Sequence, residues 1–271
     1  MTALCLLALD TSTDRLAAAL LAPAGRWHVN QAGGALASAR LIPALMGLLA
    51  DAGLALAQVQ GIAFGQGPGA FTGLRTACAV AQGLAFAGET PVLAIDSLLI
   101  VAEDARAQAA AGQLDHGQPG TDQAGNGHWW VAMDARMDEV YAAAYHHGAG
   151  GWQTRVAPGL WTLTALADSW AAAPPSRVAG SAIAAFADRL PWGAAALWPD
   201  SHDRAAALLR LAEAAWARGE THRADDALPL YLRDKVAQTT AERQALRDAA
   251  ALGAEHQAAA QPAGAAGRVA Q

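Results

Sequence analysis

Apolar residues along this chain fall into short runs, separated by glycine, proline and small polar residues. Leu4 to Leu9 is a continuous apolar run, the pattern of a strand covered on both faces. Asp10-Thr11-Ser12-Thr13-Asp14 is a polar turn, and Leu16 to Leu21 is apolar again. Pro23-Ala24-Gly25 makes a second turn before a strand at Trp27 to Gln31, so the chain opens as an antiparallel meander. Leu41, Leu45, Leu48 and Leu49 recur at helical spacing and predict a helix from Leu41 to Ala52, with Gly53 just past its end. Ile62-Ala63-Phe64 reads as a short strand running into GQGPGAFTGLR, residues 65–75. Thr72 is the expected N-cap of a helix reaching Ala87. Val92 to Ile95 is another strand, and Ser97 is placed to cap a helix to about Ala111.

The pattern then repeats. Residues 112–127 are Gly, Gln, Asp and Pro with few apolar side chains, which predicts a flexible surface loop. Trp129 to Met133 and Val140 to Tyr145 read as two strands around a turn at Asp134 to Asp138. Leu163 to Ala171 is a helix, Arg177 to Ala179 a strand, and Ala182 to Leu190 a helix. Arg204 to Arg218 is the cleanest amphipathic helix, with Leu208, Leu211 and Ala215 on one face and Gly219 after it. Residues 237–271 are Ala-, Gln- and Gly-rich and read as a disordered tail. Two halves emerge, 1–100 and 101–236, each with strands followed by helices. The helix at 204–218 is placed to pack back on the first half.

Composition narrows the classes. The 271 residues are 54 % hydrophobic and 15 % charged, enough apolar material for one large or two modest folded domains. The formal net charge is −6, with no basic stripe. A protein that grips nucleic acid alone usually shows one, so in an RNA pathway another chain would supply most phosphate contacts. Cys5 and Cys78 lie far apart in apolar surroundings and read as buried reduced thiols. The first ten residues lack a basic leader, and no segment approaches the length of a membrane span, so the expectation is a cytoplasmic protein without membrane attachment.

Four constellations carry candidate chemistry. Asp10-Thr11-Ser12 sits between two strands, where an acid and small residues can cradle phosphate and hold hydrated magnesium. A glycine is expected at the third place and Ser12 stands there. In the loop, Gly67 and Gly69 permit tight backbone, and its helix entry could hold an anion. However, no Lys-Ser or Lys-Thr pair follows the glycines, and their spacing is not GxGxxG. Asp134 begins a second turn whose tip is Ala135-Arg136, again without glycine. There Arg136 can pair with Asp138 or Glu139 or reach a partner. Gly180-Ser181 keeps one glycine where an adenine-packing turn has two, so Ser181 reads first as a helix cap. No HxxxH, HExxH or GxSxG is present, so no metal ligands and no catalytic residues are assigned.

Taken together these segments resemble the TsaB, or YeaZ, family. The motifs are LALDTST at Leu7 to Thr13, the GPG-x-FTGLR loop at Gly65 to Arg75, and AQGLA at Ala81 to Ala85. MDAR-x-x-EVY follows at Met133 to Tyr141 and P-x-YLR at Pro229 to Arg233, all in family order. The resemblance covers roughly residues 4–236. It implies an α/β, actin-like (ASKHA, RNase H-like) fold of two related domains with mixed sheets flanked by helices.

It also implies a non-catalytic subunit in N6-threonylcarbamoylation of adenosine 37 in tRNAs reading codons that begin with A. A synthase makes threonylcarbamoyl-AMP, and TsaD, a metal-binding homologue, transfers the group. TsaB binds TsaD as a heterodimer, the ATPase TsaE joins, and tRNA is met mainly through TsaD. The chain would carry no cofactor of its own, with any ATP or ADP at the interface with TsaD and TsaE. The degenerate nucleotide positions would be Asp10, Thr11, Ser12, Gly67, Gly69 and Asp134.

The family's contact with TsaD uses the first two helices. Carried onto this sequence it involves Leu41, Ala44, Leu45, Leu48, Arg75, Ala79, Gln82, Gly83 and Phe86, and a homodimer through the same surface would replace it when TsaD is absent. The second helix is rich in small residues, which allow close helix approach. One departure is ALASARLIP, where Ala37 and Ser38 stand where many members carry a histidine. The rival readings are an active actin-like ATPase or small-molecule kinase, and a metallopeptidase.

Overall fold

A computed structural model describes residues 4–112 and 126–233. The predicted loop from 112 to 127 falls mostly outside them, and the predicted tail wholly so. The opening meander is present as β1 (Leu6–Asp10), β2 (Arg15–Ala22) and β3 (Gly25–Ala32), with Leu7 opposite Leu20 and Asp10 opposite Ala17. β4 (Gly61–Gly67) and β5 (Val92–Asp96) add in parallel on the other side of β1, giving the order β3-β2-β1-β4-β5. The unbroken apolar run of β1 follows from burial on both faces. Leu7 and Leu9 pack on α1 (Ala37–Asp51) and α2 (Phe71–Gly88), while Leu6 and Ala8 pack on α6 (Arg204–Ala217). Successive strand residues point to opposite faces, so a run with no polar member needs a layer on each side.

Several boundaries differ from those the pattern predicts. α1 starts at Ala37, four residues early, because its first turn is small and mostly exposed and carries no periodic leucine. Its end matches: Gly53 has φ +67°, Gly53 N–H donates to Ala50 O at 3.0 Å and Leu54 N–H to Leu49 O at 2.9 Å. That is the paired bonding of a left-handed helix stop. Thr72 is not a cap. α2 begins a residue earlier, Ala70 stands at the cap without a side-chain bond, and the Thr72 carbonyl accepts from the Thr76 hydroxyl at 3.0 Å. Nor does Ser97 cap α3 (Ser97–Ala110). The Asp96 carboxylate does so, accepting from Leu98 N–H at 2.9 Å and Leu99 N–H at 3.4 Å.

The second sheet has β6 (Gly127–Asp134), β7 (Glu139–Gly148), β8 (Gly151–Thr162), β9 (Arg177–Ala179) and β10 (Ala196–Trp198). Its order is β8-β7-β6-β9-β10. The first hairpins are antiparallel and the later strands parallel, so both sheets share one topology. This repeated arrangement is the actin-like α/β fold. The pattern misses β8 because it is an edge strand, with register shifts opposite Ala142 to Tyr145 and Pro158-Gly159 inside it, so no alternation survives. β10 is too short to show a period. The helix expected over Ala182 to Leu190 is only α5 (Ala182–Ala185), since Phe186 leaves helical geometry and turns with Leu190 into the core beside Trp170 on α4 (Leu163–Ala172).

α3 serves both sheets. Ile100 belongs to the core under the first, while Leu98, Val101, Ala102 and Ala105 belong to that under the second. Buried Glu103 accepts from Arg106 Nε at 2.7 Å, from Trp152 Nε1 at 3.0 Å and from Arg210 on α6. Burial pushes its carboxyl up, and these donors outweigh that and hold it below the usual range.

Asp96 also joins the halves, since the Tyr145 hydroxyl on β7 donates to its Oδ2 at 2.5 Å. Burial pushes Asp96 up to about 6 against those bonds. Between 3.8 and about 6 the folded protein holds a proton that the unfolded chain has released, so stability falls as pH rises through that window. We expect Asp96→Asn, which keeps a capping oxygen, to flatten that slope and to raise stability at pH 7 by up to roughly 2–3 kcal/mol, read from urea melts at several pH values.

Candidate functional site

The sequence-predicted turn and loop meet face to face. Asp10 ends β1 in the middle of its sheet, and Asp10, Thr11 and Ser12 are all buried. Asp10 Oδ1 accepts from Ser12 N–H at 3.2 Å and Oδ2 from the Ser12 hydroxyl at 3.0 Å. Ala70 N–H donates to Ser12 O at 2.8 Å, and the Thr11 hydroxyl donates to Gly73 O at 2.7 Å. The glycines are needed because the loop lies directly on the turn. A Cβ at Gly65 would stand 1.9 Å from Asp10 Oδ1, one at Gly69 2.4 Å from Ser12 O, and one at Gly73 1.8 Å from Thr11 O. Gly67, in a cis peptide with Pro68, donates its N–H to the Ser97 hydroxyl at 3.0 Å.

The Asp10 carboxylate has a charged partner from far along the chain. Arg204, the first residue of α6, donates from Nη2 to Asp10 Oδ2 at 2.7 Å and to Ser12 Oγ at 3.1 Å. Arg204 is 2 % exposed and Asp10 0 %. Sequence reading missed this residue. One signal was available: an arginine in the first turn of a helix sits at the positive end of its dipole, where acids are favoured, so it needs a separate reason to be there.

The late P-x-YLR segment closes over the same loop. Leu230 N–H donates to Gln66 O at 2.8 Å, and the Tyr231 ring lies 5.0 Å from that of Phe71. Arg75 donates from Nε to the Tyr231 hydroxyl at 2.9 Å with its guanidinium carbon 4.0 Å from the Phe71 ring centre. Arg75, expected in the partner interface, is therefore exposed but already committed to the chain's own tyrosine.

The second predicted turn, at Asp134, belongs to the other sheet. Asp134 Oδ1 accepts from Arg136 N–H at 2.8 Å and Oδ2 from Arg136 Nη1 at 3.1 Å. Arg136 thus pairs with Asp134, and Asp138 pairs with Arg189 at 2.7 Å. Arg136, Met137 and Asp138 all have positive φ, near +60°, in a tip that has no glycine. Ser181 is not a side-chain cap for α5, because its hydroxyl accepts from Asp134 N–H at 3.1 Å.

α1 and α2 lie side by side on one face of the first sheet. Leu41, Leu45 and Leu48, placed in the partner interface by resemblance, face inward and are buried among β1, β2 and α2. The periodicity that predicts the helix marks its core side, so the outward side is Ile42, Pro43 and Gly47, with Ala44 partly exposed. On α2, Ala79, Gly83 and Phe86 face outward and Gln82 is partly exposed. Phe86 is 75 % exposed and Ile42 46 %. A Cβ on Gly47 or Gly83 would meet nothing within 4 Å.

Other chemistry finds little footing. Among the described residues no group of three or more His, Cys, Asp or Glu is placed to hold a metal ion, and no described helix is long and apolar enough to cross a membrane. Both cysteines are buried free thiols, and burial pushes Cys78 up to about 11, so it is not a thiolate at neutral pH.

Comparison with known proteins places this geometry. Two solved chains from Pseudomonas aeruginosa, one described as YeaZ and one as an uncharacterized protein with similarity to peptidase YEAZ, are each 39 % identical to it. They superpose with TM-scores of 0.71 and 0.72, over 86 % of this chain and 100 % of theirs. The chain belongs to the TsaB (YeaZ) family. A family model described as TsaD, tRNA N6-adenosine threonylcarbamoyltransferase, matches residues 35–167, in keeping with the repeated actin-like topology. The tRNA threonylcarbamoyladenosine biosynthesis protein TsaB of Haemophilus influenzae is 40 % identical over 138 residues, 51 % of this chain and 52 % of its own, so that match spans about half the relative's length. The Escherichia coli TsaB is 27 % identical over 73 % of this chain and 81 % of its own.

Within this TsaB-family chain the glycine contacts generate a direct prediction. Gly73→Ala should destabilise the protein by about 3 kcal/mol or more, since overpacking against backbone cannot relax by a rotamer change. Gly53→Ala, at a left-handed stop with open space, should lose only about 1 kcal/mol. Thermal melts of the two variants would check the order.

Proposed function

We propose that this protein is a non-catalytic subunit in N6-threonylcarbamoylation of adenosine 37 of tRNAs that read codons beginning with A. It binds TsaD through the outward side of α1 and α2. One observation carries the reading: Ile42, Ala79 and Phe86 lie exposed on adjacent helices, with Gly47 and Gly83 leaving the surface low between them. A partner helix can come close over such a surface, and an aromatic beside it supplies an anchor. The net charge of −6 supports a division of labour in which TsaD meets the tRNA and this chain does not. A synthase supplies threonylcarbamoyl-AMP, TsaE joins the pair in the cytoplasm, and any ATP or ADP is held where TsaD and TsaE meet. Without TsaD the same surface self-associates.

The second reading, an ATPase or small-molecule kinase, gains no support from the turn at Asp10, whose carboxylate is engaged on both oxygens. Saturable binding of magnesium-ATP by the isolated chain, lost in Asp10→Ala, would revive it.

The interface is testable without disturbing the fold. Gly83→Arg adds a side chain into open space and gains about 0.5–1 kcal/mol of helix propensity, so the monomer should stay folded. Phe86→Glu changes a mostly exposed residue. Both should weaken co-purification with TsaD by tenfold or more, whereas Leu45→Glu should unfold the protein. Unimpaired TsaD binding by both surface variants would sink the assignment. In cells, depletion of the protein should lower threonylcarbamoyladenosine in bulk tRNA, measured by mass spectrometry.

A further inference from the structure

The actin-like fold implies a magnesium nucleotide at the first turn, and the residues present do not fit one. A hydrated divalent ion needs carboxylate oxygen that is open to it and several places for water. Both oxygens of Asp10 are taken: Oδ1 faces Ser12 N–H at 3.2 Å and the Ser97 hydroxyl at 3.5 Å, and Oδ2 faces the Ser12 hydroxyl at 3.0 Å and Arg204 Nη2 at 2.7 Å. The glycine loop roofs the turn at van der Waals contact, and its own mouth is covered by Leu230, whose carbonyl would stand 2.8 Å from a Cβ on Gly67.

We propose that Arg204 is a resident cation. Its guanidinium holds the charge position that a divalent ion would otherwise fill beside Asp10, and the turn is a closed joint to α6 with a latent cation site beneath the arginine. The way Arg204 is held favours charge over hydrogen bonding. Only Nη2 is bonded, while Nε and Nη1 are buried without a hydrogen-bond partner among the described residues. A group chosen to complete a bonding network would not leave donors buried and unmet. Without the arginine, the two oxygens that Nη2 now holds, Asp10 Oδ2 and the Ser12 hydroxyl, face the vacated position. That is a hard, oxygen-only donor set, suited to Mg2+ or Mn2+. The inference does not rest on the pathway proposed above and stands or falls on its own.

The test uses the full chain and Mn2+ as probe, followed by paramagnetic resonance and thermal melts. The wild type should bind no Mn2+ at this turn, and its melting temperature should not respond to Mn2+. Arg204→Ser should melt several degrees lower, bind one equivalent of Mn2+, and recover part of the loss with the ion. Asp10→Asn/Arg204→Ser should lose that response. The proposal is overturned if the wild type binds an Mn2+ ion that Asp10→Asn removes, or if folded Arg204→Ser ignores the metal. Should Arg204→Ser not fold, Asp10→Asn/Arg204→Met decides. Removing both charges should restore a melting temperature above that of either single variant, and a double variant no better than the worse single overturns the pairing.

Discussion

A carboxylate sealed inside a protein must have a positive charge beside it or lose its own, and Asp10 meets that demand with Arg204 at 2.7 Å. Much of the first half is arranged by it. The residue ends the central strand of its sheet, and the glycine loop lies against it with no room for a side chain at Gly65. α6, which carries the arginine, closes the second face of the sheet with Leu208, Leu209, Leu211 and Ala212. Breaking such a pair from one side leaves a buried charge unmet, which typically costs about 3–5 kcal/mol, a large part of a domain's net stability.

How much of this the sequence disclosed depends on the range over which each feature acts. β1, α1, α2 and the meander were legible because local periodicity decides them, and Gly53 because a left-handed stop is a one-residue requirement. β8 was not, since an edge strand with register shifts keeps no period, and α5 was overestimated because Phe186 is drawn into the core. In the candidate site, Asp10, Thr11, Ser12, Gly67 and Gly69 do converge. The partner that defines their chemistry lay 194 positions away, beyond the reach of any motif. The same limit applies on α1, where Leu41, Leu45 and Leu48 are buried. Leucines at helical spacing show that a helix exists and which side is its core, and leave its outward side unmarked.

The two sheets share a topology but have diverged in what they do with their first acids. Asp10 is buried and held from another element, whereas Asp134 is answered within its own turn by Arg136, on a tip whose three left-handed residues are all bulky. Neither keeps the open glycine geometry of a phosphate cradle. Exposed apolar side chains stand elsewhere as well, with Ile42 on α1 and Phe86 on α2.

The span between Asp10 and Arg204 also sets an order in time. At ordinary rates of synthesis residue 204 leaves the ribosome roughly 10–40 s after residue 10. During that interval the first sheet can pair its strands and gather α1 and α2, but Leu6 and Ala8 lack α6 over them and Asp10 has no counter-charge. The nascent chain therefore carries a sheet with one incompletely covered face until α6 emerges, and that distant helix is the one that makes the first strand safe.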